Sequence, residues 1–168
     1  GTSDSIVLDR QDYSTRYGID EFVFADGTVW TYADVRNTYL TQASTTGDDV
    51  IIGFEADDVV AGGTGNDTLK GGYGSDTYLF ELGDGQDVIY DSGSSSDVDR
   101  LVFGAGIATG SIEVTRSASD ADDVILSVAG TSDSIVLDRQ DYSTRYGVDE
   151  FVFADGTVWT YADLSVLI

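Results

Sequence analysis

The sequence predicts an all-β chain built around a parallel β-roll, with strand and hairpin segments on either side and one short helix. Three observations predict it. Residues 62–79 read GGTGNDTLKGGYGSDTYL, two uninterrupted copies of a nine-residue pattern G-G-x-G-x-D-x-U-x, where U is a large apolar residue. Short runs on both sides of this block alternate apolar with polar residues, as half-buried strands do. Residues 1–34 recur at 130–163 with one change, Ile19 to Val148, so two copies of one β-rich segment bracket the central repeats.

Taken in chain order, the N-terminal flank comes first. SIVLDR (5–10) and EFVFADGTVWT (21–31) alternate as strands, and Asp26-Gly27 is a type I′ hairpin signal that predicts pairing of Phe24 with Val29 and Val23 with Trp30. Asp155-Gly156 predicts the same hairpin in the second copy. Thr31 followed by Asp34 is the acidic variant of a capping box and predicts a short helix to about Leu40. The nonapeptide register then begins, with STTGDDVII (44–52) and GFEADDVVA (53–61) keeping Asp49 and Asp58 at position 6 and Ile51 and Val60 at position 8. After the two full copies, Phe80 and Glu81 interrupt the register. LGDGQDVIY (82–90) resumes it, and SSSDVDRLV (94–102) keeps only Asp99 and Leu101. SIEVTRS (111–117) and DDVILSV (122–128) add two strands before the second copy of the flank. The predicted division is a flank with its helix at 1–43, the roll at 44–103 and a capping flank at 104–168.

Each nonapeptide position has a physical role. Glycine at positions 1, 2 and 4 allows a sharp turn that aims successive carbonyls at one point. Asp at position 6 adds a carboxylate oxygen, and x-U-x is a short strand with one inward apolar side chain. Converging carbonyls and carboxylates are hard oxygen ligands, the set that calcium prefers; a cage lacking retained water disfavours magnesium.

These residues resemble the haemolysin-type calcium-binding repeats of the RTX (repeats-in-toxin) proteins, over about 60 residues from Ser44 to Val102. The resemblance implies a right-handed roll with two nonapeptides per turn and an ion between each pair of stacked loops. On that pattern Thr45, Gly47 and Asp49 face Gly62, Thr64 and Asp67, while Gly63, Gly65 and Asp67 face Asp84 and Asp87. On the other edge Phe54, Ala56 and Asp58 face Gly71, Tyr73 and Asp76, while Gly72, Gly74 and Asp76 face Ser96 and Asp99. The flanks resemble the domain often found beside such rolls. The resemblance further implies a bacterial protein, secreted or at the cell surface, exported in one step by a type I machine that reads the C-terminus.

Composition narrows the partners. With 31 acidic against 8 basic residues the formal charge is −23, which excludes nucleic acid and anionic membrane surfaces as natural ligands. A hydrophobic fraction of 41% with 10 Tyr and 7 Phe still predicts folded structure, with carboxylates awaiting a cation. No run approaches the roughly 18 apolar residues of a membrane span. The chain has no Cys and no His, which removes disulfides, Ser-His-Asp and Cys-His catalysis and His-ligated zinc. Absence of an initial Met and the recurrence of 1–34 predict a piece of a tandem array, one full unit plus the start of the next. The ending Asp163-Leu164-Ser165-Val166-Leu167-Ile168 fits a buried element or an acid-plus-apolar export signal.

The remaining motifs carry less. Asp91-Ser92-Gly93 matches the aspartic-protease D-[ST]-G, but only one copy occurs. Asn66-Asp67-Thr68 is a glycosylation sequon by coincidence with a ligand position, and Asp120, Asp122 and Asp123 read as a solvated turn because the EF-hand glycine and final acid are missing. Trp30 and Trp159 read as core residues of the hairpins ahead of a sugar-stacking platform. The sequence thus predicts a non-enzymatic calcium-binding repeat module, next to neighbouring units of the same chain, with a carbohydrate- or surface-binding adhesion module as the alternative.

Overall fold

The structure, a computed structural model, describes residues 5–7, 18–143 and 145–168. The roll is visible as two sheets wound from alternate nonapeptides. Strands β3 (Val50–Ile52), β5 (Thr68–Lys70) and β7 (Gln86–Ile89) pair in parallel in one sheet. Strands β4 (Val59–Ala61), β6 (Thr77–Phe80) and β8 (Arg100–Phe103) do the same in the other. Val50 lies opposite Thr68 and Val59 opposite Thr77, a repeat of two nonapeptides per turn. The extra residues Phe80 and Glu81, and those after Tyr90, are absorbed without loss of pairing, because Thr68 meets Val88 and Thr77 meets Arg100.

Why the sheets stay together follows from position 8. Ile51, Val60, Leu69, Tyr78, Ile89 and Leu101 are all buried and form one cluster between the two sheets. Burying each is worth about 1.5–3 kcal/mol.

The flank after the roll continues both sheets. Strand β9 (Ile112–Arg116) and strand β10 (Val124–Val128) are antiparallel neighbours, and β11 (Ser134–Leu137) joins β10 to β7 of the roll. In the second sheet β12 (Glu150–Val152) lies parallel to β8, and β13 (Val158–Thr160) closes that edge. Phe151, Phe153, Leu126 and Leu137 therefore belong to the roll's own core.

At the other end β1 (Glu21–Val23) and β2 (Val29–Thr31) form a separate two-stranded sheet. Helix α1 (Tyr32–Ala43) follows, started by Thr31, whose side chain and Asp34 exchange the two hydrogen bonds of a capping box. Its Leu40 reaches the core beneath β3 and β4, so the helix covers the first turn of the roll. The strand predicted at 5–10 lies mostly outside the described residues; its counterpart in the second copy is β11.

Two expectations differ from the structure. The hairpin register is Phe22 opposite Trp30 and Val23 opposite Val29, one residue away from the predicted pairing. A type I′ turn needs positive φ at both central residues, whereas only Gly27 (φ 88) has it. Gly27 N–H donates to Phe24 O at 3.0 Å and Phe24 N–H to Thr28 O at 2.8 Å, the three-residue loop with a glycine bulge; Gly156 repeats it. The prediction of one helix also falls short, because the second copy starts a helix of its own, α2 (Tyr161–Ser165), with Asp163 accepting from Thr160 N–H at 2.8 Å.

Candidate metal centre

The loops between strands stack in two columns, one along each edge of the roll. Their glycines let them approach until backbone meets backbone: a Cβ on Gly65 (φ 144) would stand 2.7 Å from the carbonyl of Gly47, and one on Gly74 (φ 110) 2.5 Å from Ala56 C. Thr45 bridges to Gly63, Glu55 to Tyr73 and Gly65 to Gly85, so the loops of alternate nonapeptides lie face to face. The predicted sets are thereby brought together: Thr45, Gly47 and Asp49 beside the 62–67 loop, Phe54, Ala56 and Asp58 beside the 71–76 loop. Ser96 stands apart at an exposed loop tip, where its N–H donates to Ser94 Oγ.

The position-6 aspartates form two ladders. In the first column Asp49 N–H donates to Asp67 Oδ1 at 2.8 Å, and Asp67 N–H to Asp87 Oδ1 at 2.9 Å. In the second, Asp58 N–H donates to Asp76 Oδ1 at 2.9 Å, Asp76 N–H to Asp99 Oδ1 at 2.8 Å, and Asp99 N–H to Asp149 Oδ2 at 2.9 Å. One oxygen of each inner carboxylate is thus fixed by the neighbouring backbone. The other is not: Asp67 Oδ2 and Asp76 Oδ2 are buried with no hydrogen-bond partner. A buried carboxylate oxygen left unpartnered costs free energy unless a cation meets it. The donor set of carbonyls and hard carboxylate oxygens fits calcium.

Asp149 was not foreseen. It lies in Gly147-Val148-Asp149-Glu150-Phe151, which keeps the position-4 Gly, position-6 Asp and position-8 apolar residue of a nonapeptide, and that spacing was the available signal. Asp133, also unforeseen, is buried and accepts from Gly83 N–H at 2.8 Å beside Asp84 and Asp87. At the opposite end Arg36 of α1 points its guanidinium at Asp58 Oδ1, 3.4 Å away, and lies over the rings of Tyr32 and Phe54 at 5.7 and 5.8 Å. A fixed cation thus sits where the column begins. Arg36→Ala is expected to cost about 1–3 kcal/mol, since hydrogen bonds to buried charges are worth that much. The check is the urea midpoint of the calcium-loaded protein.

Burial, first, and neighbouring carboxylates, second, push these groups up: Asp76 and Asp87 to about 7, and Asp99 to about 6, each relieved in part by the backbone N–H it accepts. Asp67 and Asp84 are raised as well, again chiefly by burial. A raised carboxylate value means that the calcium-free fold binds protons more tightly than the unfolded chain does. Its stability is then lost as pH rises from the ordinary Asp range, near 3.9, through about 7. Bound calcium inverts the sign by favouring the ionised form, so loaded protein loses stability as pH falls. The pH dependence of stability should therefore reverse on loading: chelated protein is less stable at pH 8 than at pH 5, and loaded protein less stable at pH 5 than at pH 8, as thermal melts would read.

Comparison with known families agrees with this geometry. The RTX calcium-binding nonapeptide repeat (4 copies) matches residues 44–69 and 52–89. The chain belongs to the RTX calcium-binding repeat proteins. The haemolysin-type calcium binding protein related domain matches 1–34 and 123–163, the two flanks of the RTX roll. No curated protein matches the chain. Calcium is the ion that RTX repeats bind, and the nonapeptide repeat is a structural unit.

Proposed function

We propose that this RTX chain is a calcium-folded structural module of a large secreted or cell-surface protein. The observation that carries the reading is the pair of aspartate ladders, whose inner oxygens are buried and unpartnered. Calcium between stacked loops supplies the missing partner, so its binding free energy becomes folding free energy. The ligands are the carbonyls of Thr45, Gly47, Gly62, Gly63, Thr64 and Gly65 with Asp49, Asp67, Asp84 and Asp87 in the first column. In the second they are the carbonyls of Phe54, Ala56, Gly71, Gly72, Tyr73 and Gly74 with Asp58, Asp76 and Asp99. Residues 44–103 form the calcium-dependent roll, 1–43 close a preceding unit and cap this one, and 104–168 seal its far end.

Such a module stays unfolded where calcium is scarce, passes a narrow export channel as a flexible chain, and folds in extracellular calcium. No described helix is long and apolar enough to cross a membrane. The role is one of scaffolding, without turnover. Isothermal titration with calcium, followed in parallel by circular dichroism, tests the reading: binding without gain of structure would refute calcium-driven folding.

One observation favours a binding role alongside it. Tyr90, Tyr142 and Tyr146 gather around Arg139, whose guanidinium lies 5.4–6.0 Å from all three rings, with Lys70 5.7 Å from Tyr90. Such a group of tyrosines suits a polysaccharide whose sugar rings stack on the aromatic faces. Glycan-array binding abolished by Tyr142→Ala would support it.

A further inference from the structure

We propose that Asp91, which lies outside every nonapeptide, is the third carboxylate of a divalent-cation site shared with Asp76 and Asp99 where the roll meets its flank. The inference rests on the reading of the aspartate ladders as calcium columns. Asp76 and Asp91 are 0% exposed and Asp99 5%, and each offers a carboxylate oxygen within 4.8 Å of the other two. Three buried carboxylates at that separation repel one another strongly unless a cation lies among them.

Their hydrogen bonds leave room for that cation. Asp76 Oδ1 accepts from Asp58 N–H and Asp99 Oδ1 from Asp76 N–H. Asp91 Oδ2 accepts from the hydroxyl of Tyr78, a position-8 side chain that crosses the core and itself accepts from Gly71 N–H at 2.7 Å. Asp76 Oδ2 and Asp91 Oδ1 remain, both buried and both without a partner. Arg100 is the cation that acts on Asp99, but its Nε donates to Glu150 at 2.7 Å. Tyr78 is thus a positioning residue that holds Asp91 in place.

The third carboxylate distinguishes this site from its neighbours. Calcium affinity rises with the number of charged ligands and with site rigidity, and here a buried tyrosine supplies the rigidity. The site fills first as calcium rises, and it joins the last turn of the roll to the segment after β7.

The test is calorimetric titration of calcium into the whole chain as wild type, Asp91→Asn, Tyr78→Phe and Asp67→Asn, with circular dichroism at saturating calcium. Asparagine mimics a protonated, purely structural Asp91, keeping its shape and its acceptor for Tyr78, but removes the ligand charge. Asp91→Asn is expected to weaken the tightest site by at least about tenfold, in line with the ligand-charge dependence of calcium sites. Tyr78→Phe should weaken the same site by a smaller factor, and Asp67→Asn should leave it in place while weakening the first column. An Asp91→Asn isotherm that superimposes on wild type while Asp67→Asn shifts would overturn the role of Asp91 and leave the calcium columns standing. If Asp91→Asn fails to fold at saturating calcium, Tyr78→Phe decides: an unchanged tightest site overturns the proposal. A wild type that binds no calcium overturns both readings.

Discussion

Chelating calcium is expected to erase the parallel strand signal of the roll while the protein stays soluble. Each nonapeptide orders nine residues around one buried side chain, such as Ile51 or Leu69, far less apolar burial per residue than a self-sufficient core provides. At neutral pH the calcium-free fold must also hold Asp87 in one buried ladder and Asp76 and Asp99 in the other, where burial resists their ionisation. Both terms act against the apo fold, and calcium offsets both. Refolding should be cooperative in calcium, with a midpoint on the order of 10⁻⁴–10⁻³ M, the range of extracellular modules. Magnesium should do little, because it dehydrates reluctantly and keeps its waters. Circular dichroism across a calcium titration is the measurement; a spectrum and melting temperature indifferent to chelator would refute the account.

The next largest effect is expected from the inner rungs of the ladders. Asp67 lies between Asp49 and Asp87, and Asp76 between Asp58 and Asp99, so each stands between two stacked sites. Removing either charge damages two sites in mid-stack, whereas Asp49→Asn affects one site at an end, as in other one-dimensional arrays. Asp67→Asn and Asp76→Asn should therefore raise the calcium midpoint more than Asp49→Asn does. Asp26→Asn is the control, because Asp26 is an exposed turn residue whose carboxylate accepts from Thr28 two residues on. The inner variants should show a second signature. Without calcium they relieve carboxylate repulsion, so the chelated variants should keep no less strand signal than chelated wild type. Equal midpoints for Asp67→Asn and Asp26→Asn would contradict the stacked architecture.

The periodic part of the fold was legible because it is local. Position 8 of every copy, down to Leu101 in a copy without its glycines, is buried as the nonapeptide spacing requires. Thr31 and Asp34 likewise announce α1 through a contact three residues long. What escaped depends on reach rather than on spacing. The hairpin register turned on whether Asp26 takes positive φ, which a dipeptide signal does not determine. Asp91 follows the last residue of its repeat and gains a role only because Tyr78 crosses the core to meet it. Arg36 acts on Asp58 from a helix, and Ser165 replaces it in the second copy, so the flank repeat hides its use.

The near-identical flanks leave this chain with a problem of choice. The edge of β8 is occupied by the hairpin β12–β13, yet β1–β2 carries the same strand residues, EFV and VWT, and among the described residues joins neither larger sheet. Either hairpin presents β8 with the same backbone and the same Phe and Trp. The chain lengths to be closed differ by less than a doubling, a preference of about 0.6 kcal/mol at most. Asp149 and Glu150 grip Asp99 and Arg100 once the last turn has formed, but Asp20 and Glu21 repeat both acids, so selection falls to what each hairpin is joined to: α1 after the first, β9 to β11 before the second. Before that turn forms, nothing local forbids exchange of hairpins between two molecules. Swapped dimers should accumulate when concentrated apo protein is given calcium suddenly, and monomers when it is refolded dilute.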